Sequence, residues 1–190
     1  MQGRLTAWHK ICIFNQMGIE KVRRQSGFTL VEVLVVIGLI AVISAFAVPT
    51  FINWLPDYRL RSAAHDLLSN FQKAKLEAVK RNLRCGVVFA SAGTGYTVFV
   101  DANENYLFDG EDTIVQVAWS DYKSVSIDAG NTTFANNGSG NPCIAFRSNG
   151  MPTNPGGGFG SGTARLTNTN GKKTEIIVSQ AGNIRIVSVP

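Results

Sequence analysis

Residues 25–36 read QSGFTLVEVLVV. One carboxylate, Glu32, stands inside a run that is otherwise uncharged from Phe28 to Val48. As a helix rising about 1.5 Å per residue, that run spans roughly 30 Å, the thickness of a bilayer core. A lone charge inside lipid is costly and marks a functional site whose partner has to be named. Just before the run lie Lys21, Arg23, Arg24 and then Gly27. An ordinary secretory signal has a shorter apolar region, followed by small residues at its cleavage site. Here the order is basic stretch, glycine, apolar run. That order suggests cleavage before the membrane segment, with the apolar part retained. The cations predict an N-terminal side that stays cytoplasmic.

The charge balance points the same way. The chain has 190 residues, 45% hydrophobic and 16% charged, enough for one domain plus an appendage. A net charge of +5 resembles a nucleic-acid signal until its distribution is read. Arg4, Lys10, Lys21, Arg23 and Arg24 against Glu20 place +4 of it in residues 1–27, leaving +1 for the rest.

The stretch QSGFTLVEVLVVIGLIAVISAFAVP resembles the N-terminus of type IV prepilins and type II secretion pseudopilins. The resemblance implies that a prepilin peptidase cuts after Gly27 and that the new N-terminal residue, Phe28, is N-methylated. It also implies a partner for Glu32, the fifth mature residue: the N-terminal amine at Phe28 of a neighbouring subunit. Docking that amine would offset the desolvation of both charges as the subunit enters a filament. A local alternative is a capping box, because Thr29 and Glu32 have the S/T-x-x-E spacing of a helix start. Both roles are compatible. From Met17 the leader reads MGIEKVRRQSG, short and basic as in this family. Met17 is therefore the expected start, with residues 1–16 an extension.

Beyond the membrane run the helix is expected to continue. Leu60, Ala64, Leu67, Phe71, Ala74 and Ala78 repeat at steps of four and three, one apolar face at helical period. Glu77 and Arg81 form a favourable pair four residues apart. Pro49 and Pro56 are each expected to kink or interrupt the helix. Residues 63–82, AAHDLLSNFQKAKLEAVKRN, resemble the GspH/FimT branch of minor pilins and pseudopilins, carried by Ala74, Lys75, Glu77, Ala78, Arg81 and Asn82.

After Asn82 the pattern turns to short β segments. CGVVFAS (85–91) and YTVFVD (96–101) flank a glycine-rich turn, a hairpin signal. IVQVAW, SVSID, CIAFR, ARLT, EIIVS and NIRIVSV follow, separated by Gly/Asn-rich stretches. Residues 154–162 read as a mobile loop and lack the context of a phosphate loop. The expected class is α+β: a long N-terminal helix, membrane half plus amphipathic half, on a C-terminal antiparallel β domain. The resemblance implies a type IV pilin-like fold with two antiparallel sheets beside the helix. The expected divisions are a leader at 1–27, a transmembrane and assembly helix at 28–55, an amphipathic helix at 56–83 and a β-rich domain at 84–190.

Other candidate sites are weaker. Asp101, Asn103, Asn105, Asp109 and Asp112 sit roughly where an EF-hand-like loop places oxygen ligands for calcium. Tyr106 replaces the glycine at position six and Asp112 replaces the bidentate glutamate, so a polar hairpin loop is the competing reading. Cys12 lies in the leader, which leaves Cys85 and Cys143 in a domain expected to face the periplasm. They form either a disulfide or two buried thiols in separate strands. His9 also lies in the leader, and His65 falls on the polar side of the helix. No nucleophile–base set and no zinc spacing is evident, so the reading is a non-enzyme without cofactors.

Some FimT-like minor pilins bind DNA through a basic C-terminal G-R-x-R motif. The matching stretch here is Gly182, Asn183, Ile184 and Arg185, with the first arginine missing. Lys172, Lys173 and Arg185 are the candidate phosphate contacts, against a solvated basic surface. The resemblance implies further partners: other pilins or pseudopilins, the prepilin peptidase and an inner-membrane assembly platform. It implies a single-pass inner-membrane protein that moves into a pilus or pseudopilus.

Overall fold

The computed structural model describes residues 27–110 and 112–189. The expected start at Met17, together with His9, Cys12 and most of the leader, lies outside them. The chain divides into two compact units, residues 1–42 and 43–190.

One helix, α1, runs Leu30–Arg81. It passes through Pro49 and Pro56 without the interruption that either proline could have caused. A proline removes one N–H from the helix ladder. Near Pro49 the Thr50 hydroxyl donates to the Phe46 carbonyl at 3.0 Å, serving a local acceptor. Pro56 is buried, so its ring is a packing surface as much as a breaker. The helix ends in a Schellman arrangement. Leu83 N–H donates to the Ala78 carbonyl at 3.3 Å and Asn82 N–H to that of Val79 at 3.4 Å. Asn82 takes φ 53°, so the asparagine of the family-like ending is also the left-handed residue that stops the helix.

The buried face of α1 is Pro56, Leu60, Ala63, Ala64, Leu67, Phe71, Ala74 and Ala78, which contains the expected stripe. Among the described residues nine strands follow: β1 Arg84–Phe89, β2 Gly95–Asp101, β3 Thr113–Ala118, β4 Val125–Ile127, β5 Cys143–Phe146, β6 Pro152–Thr153, β7 Gly162–Asn168, β8 Lys173–Val178 and β9 Ile184–Val189. They form two antiparallel sheets, in the orders β3-β2-β1-β5-β6 and β4-β7-β8-β9. Eight strands coincide with the segments expected from sequence. The two-residue β6 is too short to show a period.

One core joins the helix to both sheets. Leu67, Phe71 and Ala74 pack with Val87, Phe89, Val98 and Phe146 of the first sheet and Leu166, Ile176 and Val178 of the second. Phe71 lies 6.3 Å from the Phe89 ring and 5.8 Å from Phe134. The glycine-rich stretch before β7 ends in a packed position. A Cβ at Gly162 would overlap the Phe134 ring, so a glycine there lets an aromatic side chain enter the core. Polar contacts also fix the helix to the sheets: Asn70 Nδ2 donates to Tyr96 Oη at 2.7 Å and Lys75 Nζ to the Gly182 carbonyl at 3.0 Å.

Candidate assembly site

The start of α1 is organised by Thr29. Its hydroxyl accepts from Glu32 N–H at 3.2 Å, and its carbonyl accepts from Val33 N–H at 3.2 Å. Half of the capping box is thus formed, and it uses the main chain of Glu32. The Glu32 carboxylate is exposed, with no hydrogen bond or ion pair of its own among the described residues. Its place in the first helical turn suits a negative charge, because the unpaired N–H groups there carry the positive end of the helix dipole.

Around it the surface is apolar. From Gly27 to Trp54 every residue is exposed except the half-exposed Ser44. Phe28 is 80% exposed. By length and composition this helix is able to cross a membrane. At the far end of the apolar surface the Trp54 and Tyr58 rings lie 5.6 Å apart. Such aromatic residues are enriched where lipid meets water.

Cys85 and Cys143 do not pair with each other. Both are free and buried. In the ladder of β1 and β5, Cys85 stands opposite Phe146 and Cys143 opposite Val88. Because strand side chains alternate in direction, Cys85 packs into the main core, whereas Cys143 joins Val88 and Phe99 on the other face. Burial raises the Cys85 thiol to about 11 and the Cys143 thiol to about 12. Spacing alone carried no information about the face each residue would take.

The oxygen ligands expected for calcium are used by the protein itself. Asp101 is fully buried and accepts from Arg84 Nε at 2.8 Å. It also accepts the N–H groups of Asn105 at 3.0 Å and Tyr106 at 3.1 Å. Asp109 accepts from Asn105 Nδ2 at 2.6 Å, and Asp112 pairs with Arg81. Among the described residues, no group of three or more His, Cys, Asp or Glu side chains is placed to hold a metal. Tyr106 nevertheless takes φ 62°, the left-handed conformation for which the glycine of an EF-hand is selected. The Arg84 guanidinium lies 3.9 Å from the centre of the Tyr106 ring, so a protein cation stacks on this turn.

The three basic candidates for DNA do not form one patch. Lys172 Nζ donates to Asp57 Oδ2 at 2.5 Å, where Asn168 and Asn170 also donate to Oδ1. Asp57 therefore anchors the turn between β7 and β8 on α1, a role that sequence reading missed because the contact spans more than a hundred residues. Its carboxyl is held below the usual range, chiefly by the Lys172 hydrogen bond. Lys173 faces Val189 across the ladder and Arg185 faces Ile177. Between them Arg165 and Glu175 form their own ion pair at 2.5 Å. His65 is exposed on α1.

These features have known counterparts. A family model described as type II transport protein GspH matches residues 63–182, and a model of the prokaryotic N-terminal methylation motif matches residues 22–48. The chain belongs to the GspH family. Pilin-like protein PilA1 of Thermus thermophilus is 32% identical to this GspH-family chain over 84% of it and 97% of the relative. Two solved structures share part of its course. The minor pseudopilin EpsH from the type 2 secretion system of Vibrio cholerae has 12% identity and a TM-score of 0.49, over 68% of this chain and 97% of the other. The type IV minor pilin FimU of Pseudomonas aeruginosa has 22% identity and a TM-score of 0.45, over 69% and 93%. As a GspH-family member the chain is a pilin or pseudopilin, of the type IV pilus or type II secretion kind.

Proposed function

We propose that this chain is a minor pilin that helps to start or build a type IV pilus. The observation that carries this reading is a division along one helix. Its first half exposes apolar side chains and one carboxylate, while its second half buries one face in the core of its own β domain. A surface of that kind has to be covered, by lipid while the subunit is stored and by neighbouring helices once it is assembled. In this reading prepilin peptidase cuts between Gly27 and Phe28, and Phe28 is N-methylated. The leader side stays cytoplasmic and the β domain is periplasmic. Glu32 then meets the Phe28 amine of a neighbouring pilin, which sets the register of entry, and apolar burial between helices supplies adhesion. The assembly platform of the inner membrane and other pilins are the partners.

A second reading, a pseudopilin of type II secretion, is favoured by the match of residues 63–182 to the GspH model. DNA binding has less support, because Lys172 is engaged with Asp57 and only Lys173 and Arg185 remain on the outer sheet face. The deciding experiment compares sheared surface pilin with secreted proteins in a strain lacking the gene. Loss of pili with normal secretion supports the pilus reading. Normal pili with lost secretion supports the pseudopilin. If both are unchanged, neither assembly reading stands.

A further inference from the structure

The first sheet carries a cleft of about 580 Å³ on the face opposite the main core. That volume lies within the roughly 300–1,000 Å³ of small-molecule sites. The ladder explains its shape. Val88, Thr97 and Gln116 stand side by side across β1, β2 and β3 and form one row of its floor. In the next row Gly95 stands opposite Ala118, and Ala90 lies just past the end of β1. These small residues leave the sheet surface unfilled. Gly95 is required, since a Cβ there would overlap the Val117 carbonyl oxygen. Leu107 and Phe108, from the loop after β2, and Ser139 and Asn141, from the loop before β5, form its walls.

The polar groups sort into holders and free groups. Asn137 is a holder: its Nδ2 donates to the Tyr106 carbonyl at 3.0 Å, and its Oδ1 accepts from the N–H groups of Ser139 and Asn141. Asn137 thus ties the two walls together. Asn141 Oδ1, by contrast, is buried without a hydrogen-bond partner, which is rare for a polar atom in a folded protein. Gln116 is exposed on the floor and Thr97 is half-buried beside it. Among the described residues, the charged ones that line the cleft are Asp109 and Asp121, and no lysine, arginine or histidine lines it.

We propose that this cleft binds a neutral saccharide. Side-chain amides and hydroxyls both donate and accept hydrogen bonds, so they match the ring hydroxyls of a sugar, which do the same. Leu107 and Phe108 offer an apolar wall to the C–H face of such a ring. Two carboxylates with no cation disfavour phosphates, nucleic acids and acidic glycans. An added peptide strand would pair in the plane of the sheet at the open edge of β3, beside the cleft floor and not over it. Neither Glu32 nor Arg185 lines the cleft, so the proposal is independent of the assembly reading.

The test uses the full chain in lipid nanodiscs and saturation-transfer difference NMR. The probes are maltotriose, cellotriose, chitotriose and lactose, with trigalacturonate as the acidic counterpart. Transfer to at least one neutral sugar and none to trigalacturonate is expected. Gln116→Ala should weaken binding about three- to tenfold, the effect of one hydrogen bond. Ala118→Phe should fill the floor and abolish transfer. Both positions are exposed, so thermal unfolding should be unchanged in each variant. No transfer to any neutral probe overturns the proposal. So does equal transfer to trigalacturonate, or transfer that survives Ala118→Phe.

Discussion

Phe46 and Phe71 lie on the same helix and have opposite surroundings. Phe46 is 77% exposed, whereas Phe71 is fully buried against Phe89 and Phe134. The contrast extends to the whole of each half. Up to Trp54 the helix is apolar and exposed around its circumference, whereas from Pro56 onward one face is buried and the rest is mostly polar, with Leu76 and Val79 among the exceptions. Fully burying a large apolar side chain stabilises by about 1.5–3 kcal/mol. The second half gains this within its own chain. The first half gains it only from lipid or from other helices. One half is therefore built for folding, and the other for placement.

The comparison can be broken most sharply by truncating one phenylalanine in each half. Phe71→Ala should destabilise the fold by about 3–5 kcal/mol, read from denaturant unfolding of the full chain in detergent. Phe46→Ala should stay within about 0.5 kcal/mol in the same assay, because no core contact is lost. Equal effects would refute the division.

A smaller loss should follow from the ion pair just beyond the helix. Asp101→Ala leaves the buried Arg84 guanidinium without its main partner and should cost about 3 kcal/mol. That is the low end for a broken buried pair, since Glu104 remains 3.8 Å from Arg84. An effect near zero would show that the pair is solvated.

The contact of Asp57 with Lys172 sharpens the boundary between the halves. The folded state holds the Asp57 carboxyl below its ordinary value. A depressed carboxyl stabilises above the unfolded pKa of about 3.9, and that stability is lost as pH falls through the folded value. The gap between wild type and Asp57→Asn should therefore be widest near neutrality and close as pH falls below about 4. A gap independent of pH would remove the ion pair from the account.

The smallest expected effect is chemical. With their thiols raised to about 11 and about 12, Cys85 and Cys143 should resist iodoacetamide at pH 8 in the folded chain. Both should react after unfolding. Ready modification of the native chain would show that the core opens.

Much of this was legible in the sequence. The stripe from Leu60 to Ala78 and eight strands follow from periods of 3.6 and 2, which local sequence carries directly. What the sequence left open or did not show depended on non-local facts. Cys85 and Cys143 occupy neighbouring strands, but register puts them on opposite faces. Pro49 and Pro56 carry breaker chemistry, yet the helix continues through both. The role of Asp57 depends on a turn far along the chain. Tyr106 read as a departure from a calcium loop, although its backbone takes the glycine-like conformation, with Arg84 stacked on its ring. The candidate assembly residues, by contrast, stood in a contiguous stretch, Gly27 to Glu32, whose order could be read without a structure.

The most direct test replaces one atom at the head of the helix. Glu32→Gln keeps the Thr29 main-chain cap and the shape of the side chain but removes the charge. The full-length variant would be expressed in the bacterium that carries the gene, with its amount in sheared filaments and its unfolding midpoint both measured. The account predicts strong loss from filaments with an unchanged midpoint. Normal incorporation, or a lowered midpoint that explains the loss, would contradict it.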